Sequence, residues 1–108
     1  MLKKIYNEVT REWDTSVEEA LKSFIRLPAL SPDFDKKWEE NGVLLKALEE
    51  AKAWAEKQGI KGLRCEIIKD DGFTPCLFIE VDATSDKKFE RSVFFYGHLD
   101  KQPPNEGW

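Results

Sequence analysis

Histidine and cysteine are scarce in this sequence, which limits the metal and redox chemistry that the chain can support by itself. Its 108 residues include one histidine and two cysteines, and Cys65 and Cys76 do not form a C-x-x-C pair. A structural zinc site needs about four such ligands, so a zinc knuckle is excluded.

The sequence also lacks an excess of positive charge and an early apolar run. Seventeen basic and 21 acidic residues give a formal net charge of -4, which argues against nucleic-acid binding and against binding to a membrane surface. Residues 1–8 become charged before an apolar run develops, so neither a secretory signal nor a membrane-spanning helix is predicted there. We therefore expect a cytoplasmic protein whose cysteines are reduced thiols.

What the sequence does contain is the composition of one globular domain. Hydrophobic residues make up 41% of the chain and charged residues 35%, a balance that excludes collagen, coiled coil and general disorder. The length is sufficient for one modest core without disulfides.

The first part of the chain has helical periodicity. Apolar residues recur at helical spacing over about residues 2–13, and Asp14-Thr15 then interrupts the pattern. Ser16 and Glu19 have the spacing of a capping box, in which each side chain accepts the backbone amide of the other residue. A second helix is therefore predicted to start at Val17.

Proline and glycine set the limits of the next helices. The second helix should end just before Pro28, because proline disfavours helical geometry in the residue that precedes it. A third helix, capped by Asp33 or Asp35, is predicted to run to Gly59. Gly42 weakens its first turns, so this helix begins either before or after that glycine.

The apolar period changes from helical to alternating near residue 62, which predicts three strands near 62–69, 76–83 and 91–97. The last of these is a continuous apolar run, typical of an interior strand covered on both faces.

The register of the first two strands follows from the turn between them. With the turn centred between Asp71 and Gly72, Cys65 is expected opposite Phe78 and not opposite Cys76. A disulfide across the two strands is therefore not expected.

The single histidine follows the third predicted strand, at the end of a sheet where ligands collect in α/β proteins. His98 is a good zinc ligand, and Asp100, two residues later, points to the same side and can orient it. By spacing alone the pair is more often structural or solvent-facing, because one ligand does not make a metal site.

The wider segment 93–108, VFFYGHLDKQPPNEGW, closely resembles the first metal motif of a metallopeptidase family. That family includes carnosinase, cytosolic dipeptidases, acetylornithine deacetylase and succinyl-diaminopimelate desuccinylase. The dipeptidase branch is the most similar, with an apolar strand, Y-G-H-x-D, a Q-P-P segment and a G-W pair. The loop over residues 27–32 is similar to the loop after the family's N-terminal helix. The resemblance covers the whole chain, and its specific part is the final segment.

The resemblance implies an α/β fold in which N-terminal helices precede three strands. Residues 1–108 would be a single partial catalytic domain, the opening part of a phosphorylase/hydrolase-like zinc peptidase domain. Its helices would span about 2–58, its strands about 62–97, and a metal-motif loop would span 97–108.

The resemblance also implies roles for two residues of that loop. His98 would ligate one of two zinc ions, and Asp100 would be the aspartate of the catalytic site that clamps and orients it. In the family, the other metal ligands, the general-base glutamate and a dimerisation domain lie further along the chain than Trp108. The chain is therefore expected to be an inactive part of an enzyme that acts on a small peptide or an N-acyl amino acid.

Other function classes fit the residues less well or not at all. A zinc deaminase needs H-x-E and a later P-C-x-x-C, and a serine hydrolase of the α/β class needs G-x-S-x-G; none of these occurs. The remaining alternative is a noncatalytic α/β module that self-associates through its strand edges, with no nucleic acid or membrane as partner. A homo-oligomer is expected in either case.

Overall fold

Helices occupy the first half of the chain and an antiparallel hairpin follows them. The structure, a computed structural model, describes residues 1–85 and 91–107. Its elements are α1 (Leu2–Glu12), a π-helical turn (Trp13–Val17), α2 (Glu18–Arg26), α3 (Trp38–Asn41), α4 (Val43–Glu56), β1 (Leu63–Ile68) and β2 (Cys76–Val81). The predicted combination of helices and strands is confirmed.

The first two predicted helices form one helical rod, so the predicted break and capping box are wrong. The π-helical turn joins α1 to α2 without leaving helical geometry, because a π turn can accommodate an additional residue within a helix. Inside it, the Thr15 hydroxyl donates to the Arg11 carbonyl over 2.8 Å. Ser16 does not cap a helix, and its hydroxyl accepts a hydrogen bond from the Trp54 indole over 3.1 Å.

The predicted end of α2 before Pro28 is confirmed. Leu27 follows α2 with an extended backbone, at φ -73° and ψ 125°, which is the geometry that a following proline favours. The chain then turns into the loop over residues 28–31.

Gly42 separates α3 from α4, so the main helix begins after it. Its φ of 66° is left-handed, a conformation that glycine adopts without strain. The Asn41 side-chain oxygen accepts the Val43 amide over 3.0 Å and so supports the first turn of α4. The predicted cap by Asp33 or Asp35 is wrong, because α3 follows Lys37 without a side-chain cap; the Asp35 carboxylate accepts the Lys37 amide in the turn before the helix.

The hairpin register differs by one residue from the predicted one. Cys65 lies opposite Ile79, and Cys76 lies opposite Ile68. The connecting segment over residues 69–75 is centred on Gly72 itself, which has a positive φ, and this moves the partner strand by one position. Because Cys65 and Cys76 still occupy different positions along the ladder, both are free thiols.

The third predicted strand, near 91–97, is not confirmed. The described residues form a two-stranded sheet, and the run over residues 93–96 lies outside it with its side chains 81 to 86% exposed. A strand is defined by hydrogen bonds to a neighbour, so an apolar run alone does not produce one. The predicted metal-motif loop extends to Trp108, which lies outside the described residues.

The core is small and lies where the loop after α2 meets α4. Its buried residues are Ala29, Leu44, Ala47 and Leu48, and Phe24 packs against this cluster. The radius of gyration is 16.9 Å, against about 13 Å for a compact domain of this length. Much of the chain, α1 in particular, therefore lies away from the core.

Among the described residues, no helix combines the length and the apolar character that crossing a membrane requires.

Replacing Gly42 with alanine should lower the free energy of unfolding by about 1 kcal/mol, because an L side chain is strained at positive φ. No atom lies within 4 Å of the added methyl group, so the loss would come from backbone conformation alone. Gly97→Ala is the matched control, since Gly97 has open space and no positive φ. Urea unfolding measures the free energy of unfolding of both variants. Equal losses in the two would contradict a stability cost that comes from the positive φ of Gly42.

Candidate functional site

His98 and Asp100 contact each other, as their spacing predicts. His98 Nδ1 lies 3.0 Å from the Asp100 carboxylate oxygen Oδ1 and 3.0 Å from the Asp100 carbonyl oxygen. Both of these oxygens are acceptors, so Nδ1 must carry the proton. In the neutral imidazole this leaves the lone pair on Nε2, which is the atom available to a metal ion.

The imidazole is largely open to solvent. The His98 side chain is 72% exposed and that of Asp100 is 38% exposed. The ring is therefore accessible from solvent while Nδ1 contacts Asp100. Within residues 1–85 and 91–107, no group of three or more His, Cys, Asp or Glu side chains is placed to hold a metal ion.

Two backbone hydrogen bonds hold the residue after Asp100 against the loop that follows α2. The Lys101 amide donates to the Ala29 carbonyl, and the Ser31 amide donates to the Lys101 carbonyl, each over 2.9 Å. Together they form a short parallel bridge between Leu30 and Lys101. Because Ala29 is fully buried, the loop over residues 96–101, the site loop, is attached directly to the core.

The Lys101 side chain makes a second attachment, to the C-terminal end of α2. Its ammonium donates to the carbonyls of Phe24, Ile25 and Leu27, and it lies 4.1 Å from the centre of the Phe24 ring. A cation is favourable at a helix C-terminus and over an aromatic face. Burial lowers the pKa of Lys101 below its ordinary value, while the carbonyls and the ring favour its charged form.

A cavity of about 410 Å³ lies beside the histidine. Leu44 and Leu48 of α4 line one part of it, Pro75 and Leu77 of the hairpin line another, and the site loop from Tyr96 to Asp100 completes it. The cavity thus places apolar side chains next to an imidazole and a carboxylate. A small ligand with both apolar and polar groups matches this combination.

A second, more apolar groove of about 670 Å³ runs between α2, α4 and the hairpin. Leu99 contributes to it, so the site loop lies between the two concave surfaces. Among the described residues that line this groove, Glu50 supplies a carboxylate.

The structure brings together the two segments that the motif resemblance singled out. The loop over residues 27–32 lies against the site loop through the bridge to Lys101, although the two are far apart in sequence. The role of Lys101 was not predicted from the sequence. One signal could have indicated it: α2 ends at proline without a glycine cap, so its last carbonyls need another partner.

The chain was compared with models of known protein families and with curated proteins, and neither search found a match. The metallopeptidase resemblance therefore depends on the motif and on the chemistry of the site.

The donor set agrees with one part of a zinc centre. A zinc-ligating histidine commonly donates its other ring N–H to a carboxylate, which fixes the tautomer and aims the free nitrogen at the metal. His98 and Asp100 have this arrangement. They supply one ligand, whereas a catalytic zinc ion takes about three from protein, so other groups would have to complete the site.

Replacing Asp100 with alanine should reduce the Nδ1–H tautomer of His98, because the carboxylate acceptor is lost. Long-range ¹H–¹⁵N NMR spectra report this tautomer directly, and the single histidine of the chain gives one set of signals. Asp71→Ala, in the hairpin turn, is the control and should leave the spectrum unchanged. The Asp100 backbone carbonyl remains 3.0 Å from Nδ1 in the variant, so a partial loss is expected, and an unaltered tautomer would show that the carboxylate does not help to fix it.

Proposed function

We propose that this chain is the opening part of the catalytic domain of a zinc-dependent metallopeptidase, a dipeptidase or a related amidohydrolase. The reaction would be hydrolysis of a peptide or amide bond in a small peptide or an N-acyl amino acid. The observation that carries the proposal is the contact between His98 Nδ1 and the Asp100 carboxylate, within a segment that resembles the first metal motif of this family.

In this proposal His98 Nε2 holds one of two zinc ions and Asp100 keeps the imidazole oriented. Zinc, when bound, lowers the pKa of a water molecule that then attacks the substrate carbonyl. The hydrogen bond from Nδ1 to Asp100 fixes the tautomer of the imidazole and the direction of its lone pair. The other ligands and the proton-shuttling glutamate would come from other parts of the enzyme.

The apolar run over residues 93–96 would be the third strand of the sheet in this domain. An interior strand of an α/β sheet carries apolar side chains on both faces, as this run does in its sequence. Its large exposed surface would be covered by neighbouring strands and helices of the complete domain. The cavity beside His98 would then face the substrate.

The direct test expresses the complete reading frame that encodes this chain. We expect zinc-dependent hydrolysis of dipeptides or N-acyl amino acids, reduced at least about 100-fold in His98→Ala because a metal ligand is lost, and about 10- to 100-fold in Asp100→Ala. Glu66→Ala, on the exposed face of β1, should retain activity. Equal activity in His98→Ala and the unaltered enzyme would disprove the assignment.

The chain of 108 residues should by itself bind zinc weakly and turn over no substrate, since His98 is its single histidine and one imidazole makes an incomplete site. Calorimetric titration of the chain and of His98→Ala measures the binding, beside a dipeptide hydrolysis assay. Submicromolar binding by the monomer, or turnover that His98→Ala abolishes, would contradict this expectation.

A second candidate function is self-association as a noncatalytic module, and the exposed surface supports it. The hairpin has no described strand beside either edge, and Phe94, Phe95 and Tyr96 are each more than four-fifths exposed. An exposed apolar run next to open strand edges favours pairing with another chain. Addition of residues 93–96 to the sheet of a second copy would bury the apolar side chains of this run and cover the open strand edge.

Sedimentation velocity at high micromolar concentration should therefore show a dimer or a higher oligomer. Phe95→Lys should shift the population towards monomer, because a charge would be buried in the interface. Phe73→Lys, at a phenylalanine that is 70% exposed in the hairpin turn, is the matched control. A clean monomer for the unaltered chain would count against this candidate.

A further inference from the structure

Helix α2 ends without the cap that helices usually have. Its last residue is Arg26, Leu27 is extended, and Pro28 follows. A glycine in left-handed conformation would normally turn the chain so that backbone amides satisfy the last carbonyls. Here the Leu27 amide still donates to the Phe24 carbonyl over 3.2 Å, but Pro28 has no amide hydrogen and the extended Leu27 prevents that turn, so the carbonyls after Phe24 need a donor from elsewhere.

Lys101 is that donor, although it lies more than 70 residues further along the chain. Its ammonium contacts the carbonyls of Ile25 and Leu27 at 3.4 and 2.6 Å, and it also contacts that of Phe24. The aromatic ring of Phe24 lies beside the ammonium, with its centre 4.1 Å from Nζ. One side chain thus satisfies several carbonyls, and the helix dipole favours its positive charge.

The contact of Lys101 with α2 lies one residue along the chain from Asp100, which binds the His98 ring. The Lys101 backbone is held on both sides by its hydrogen bonds to Ala29 and Ser31. Asp100 immediately precedes it and accepts from His98 through both its carboxylate and its own carbonyl. Since the Asp100 carbonyl is part of the peptide group that joins it to Lys101, the position of Lys101 determines where one of the two acceptors lies.

We propose that Lys101 is a positioning residue for His98: by filling the C-terminal end of α2, its ammonium holds the site loop so that Asp100 keeps the proton on Nδ1 and the lone pair on Nε2. The effect of this positioning on zinc binding rests on the proposed function. The control of the His98 tautomer by the contact between Lys101 and α2 is independent of the proposed function.

The test measures the His98 tautomer by long-range ¹H–¹⁵N NMR, with all variants at the same pH. Lys101→Met keeps the length and apolar stem of the side chain and removes its charge and donors. We expect a loss of the Nδ1–H form towards the Nε2–H form that free histidine favours. Lys22→Met is the matched control. Lys22 lies on α2 and pairs with Glu18 and Glu19, away from the site loop. Its replacement should leave the tautomer unchanged.

Lys101→Arg keeps the positive charge and should retain most of the Nδ1–H form. If the Lys101 side chain only filled space, the charge would make no difference to the tautomer. If Lys101→Met does not fold, as judged by circular dichroism, Phe24→Leu replaces it. That variant removes the ring beneath the ammonium and keeps apolar packing, so a smaller loss in the same direction is expected. An unchanged tautomer in a folded Lys101→Met, or in Phe24→Leu when the former is unfolded, overturns the proposal.

A zinc titration of the same samples, together with the activity of the complete enzyme, separates this inference from the proposed function. Zinc should shift the His98 signals of the unaltered chain at lower concentration than those of Lys101→Met. If His98→Ala leaves the activity of the complete enzyme unchanged while the tautomer still depends on Lys101, the positioning role stands and the zinc assignment fails. If the tautomer is independent of Lys101, the positioning role fails whatever zinc does.

Discussion

The ammonium of Lys101 at the end of α2 is the interaction on which the arrangement of the site depends. It joins the C-terminal end of α2 to the loop that carries His98. It acts together with the two backbone hydrogen bonds of Lys101 to Ala29 and Ser31, and the core that they reach has few buried residues among the described part of the chain. A charged group can serve here because carbonyl oxygens take over the role of its solvating water.

The small core also explains why so much apolar surface remains exposed. The accessible surface is 9678 Å², against about 6200 Å² for a compact monomer of this mass. Helix α1 has no buried residue, and the run over residues 93–96 is similarly open. Surface of this extent and composition is typical of an interface, and both proposed functions provide it with a partner: the rest of a catalytic domain, or a second copy of the chain.

The chemistry of the candidate site depends on which nitrogen of His98 carries the proton. Two acceptors on Asp100 determine this, so Nε2 is the nitrogen with the lone pair. The carboxylate acts through hydrogen bonding and orientation, and it needs no contact with an ion of its own. The adjacent cavity, apolar on the side of α4 and polar at the loop, suits a ligand that has both characters.

Local physics in the sequence determined the helical first half, the stop at Pro28 and the two paired strands, because each depends on residues close together along the chain. It left open whether the main helix begins before or after Gly42. The spacing of His98 and Asp100 likewise determined their contact. The hairpin register followed from a turn centred on Gly72, one position away from the predicted centre. The absence of pairing at residues 91–97 was decided by tertiary structure, since it depends on which segments meet in the folded chain. The attachment of Lys101 to α2 was decided in the same way: only folding brings a donor and acceptors so distant in sequence within hydrogen-bonding distance.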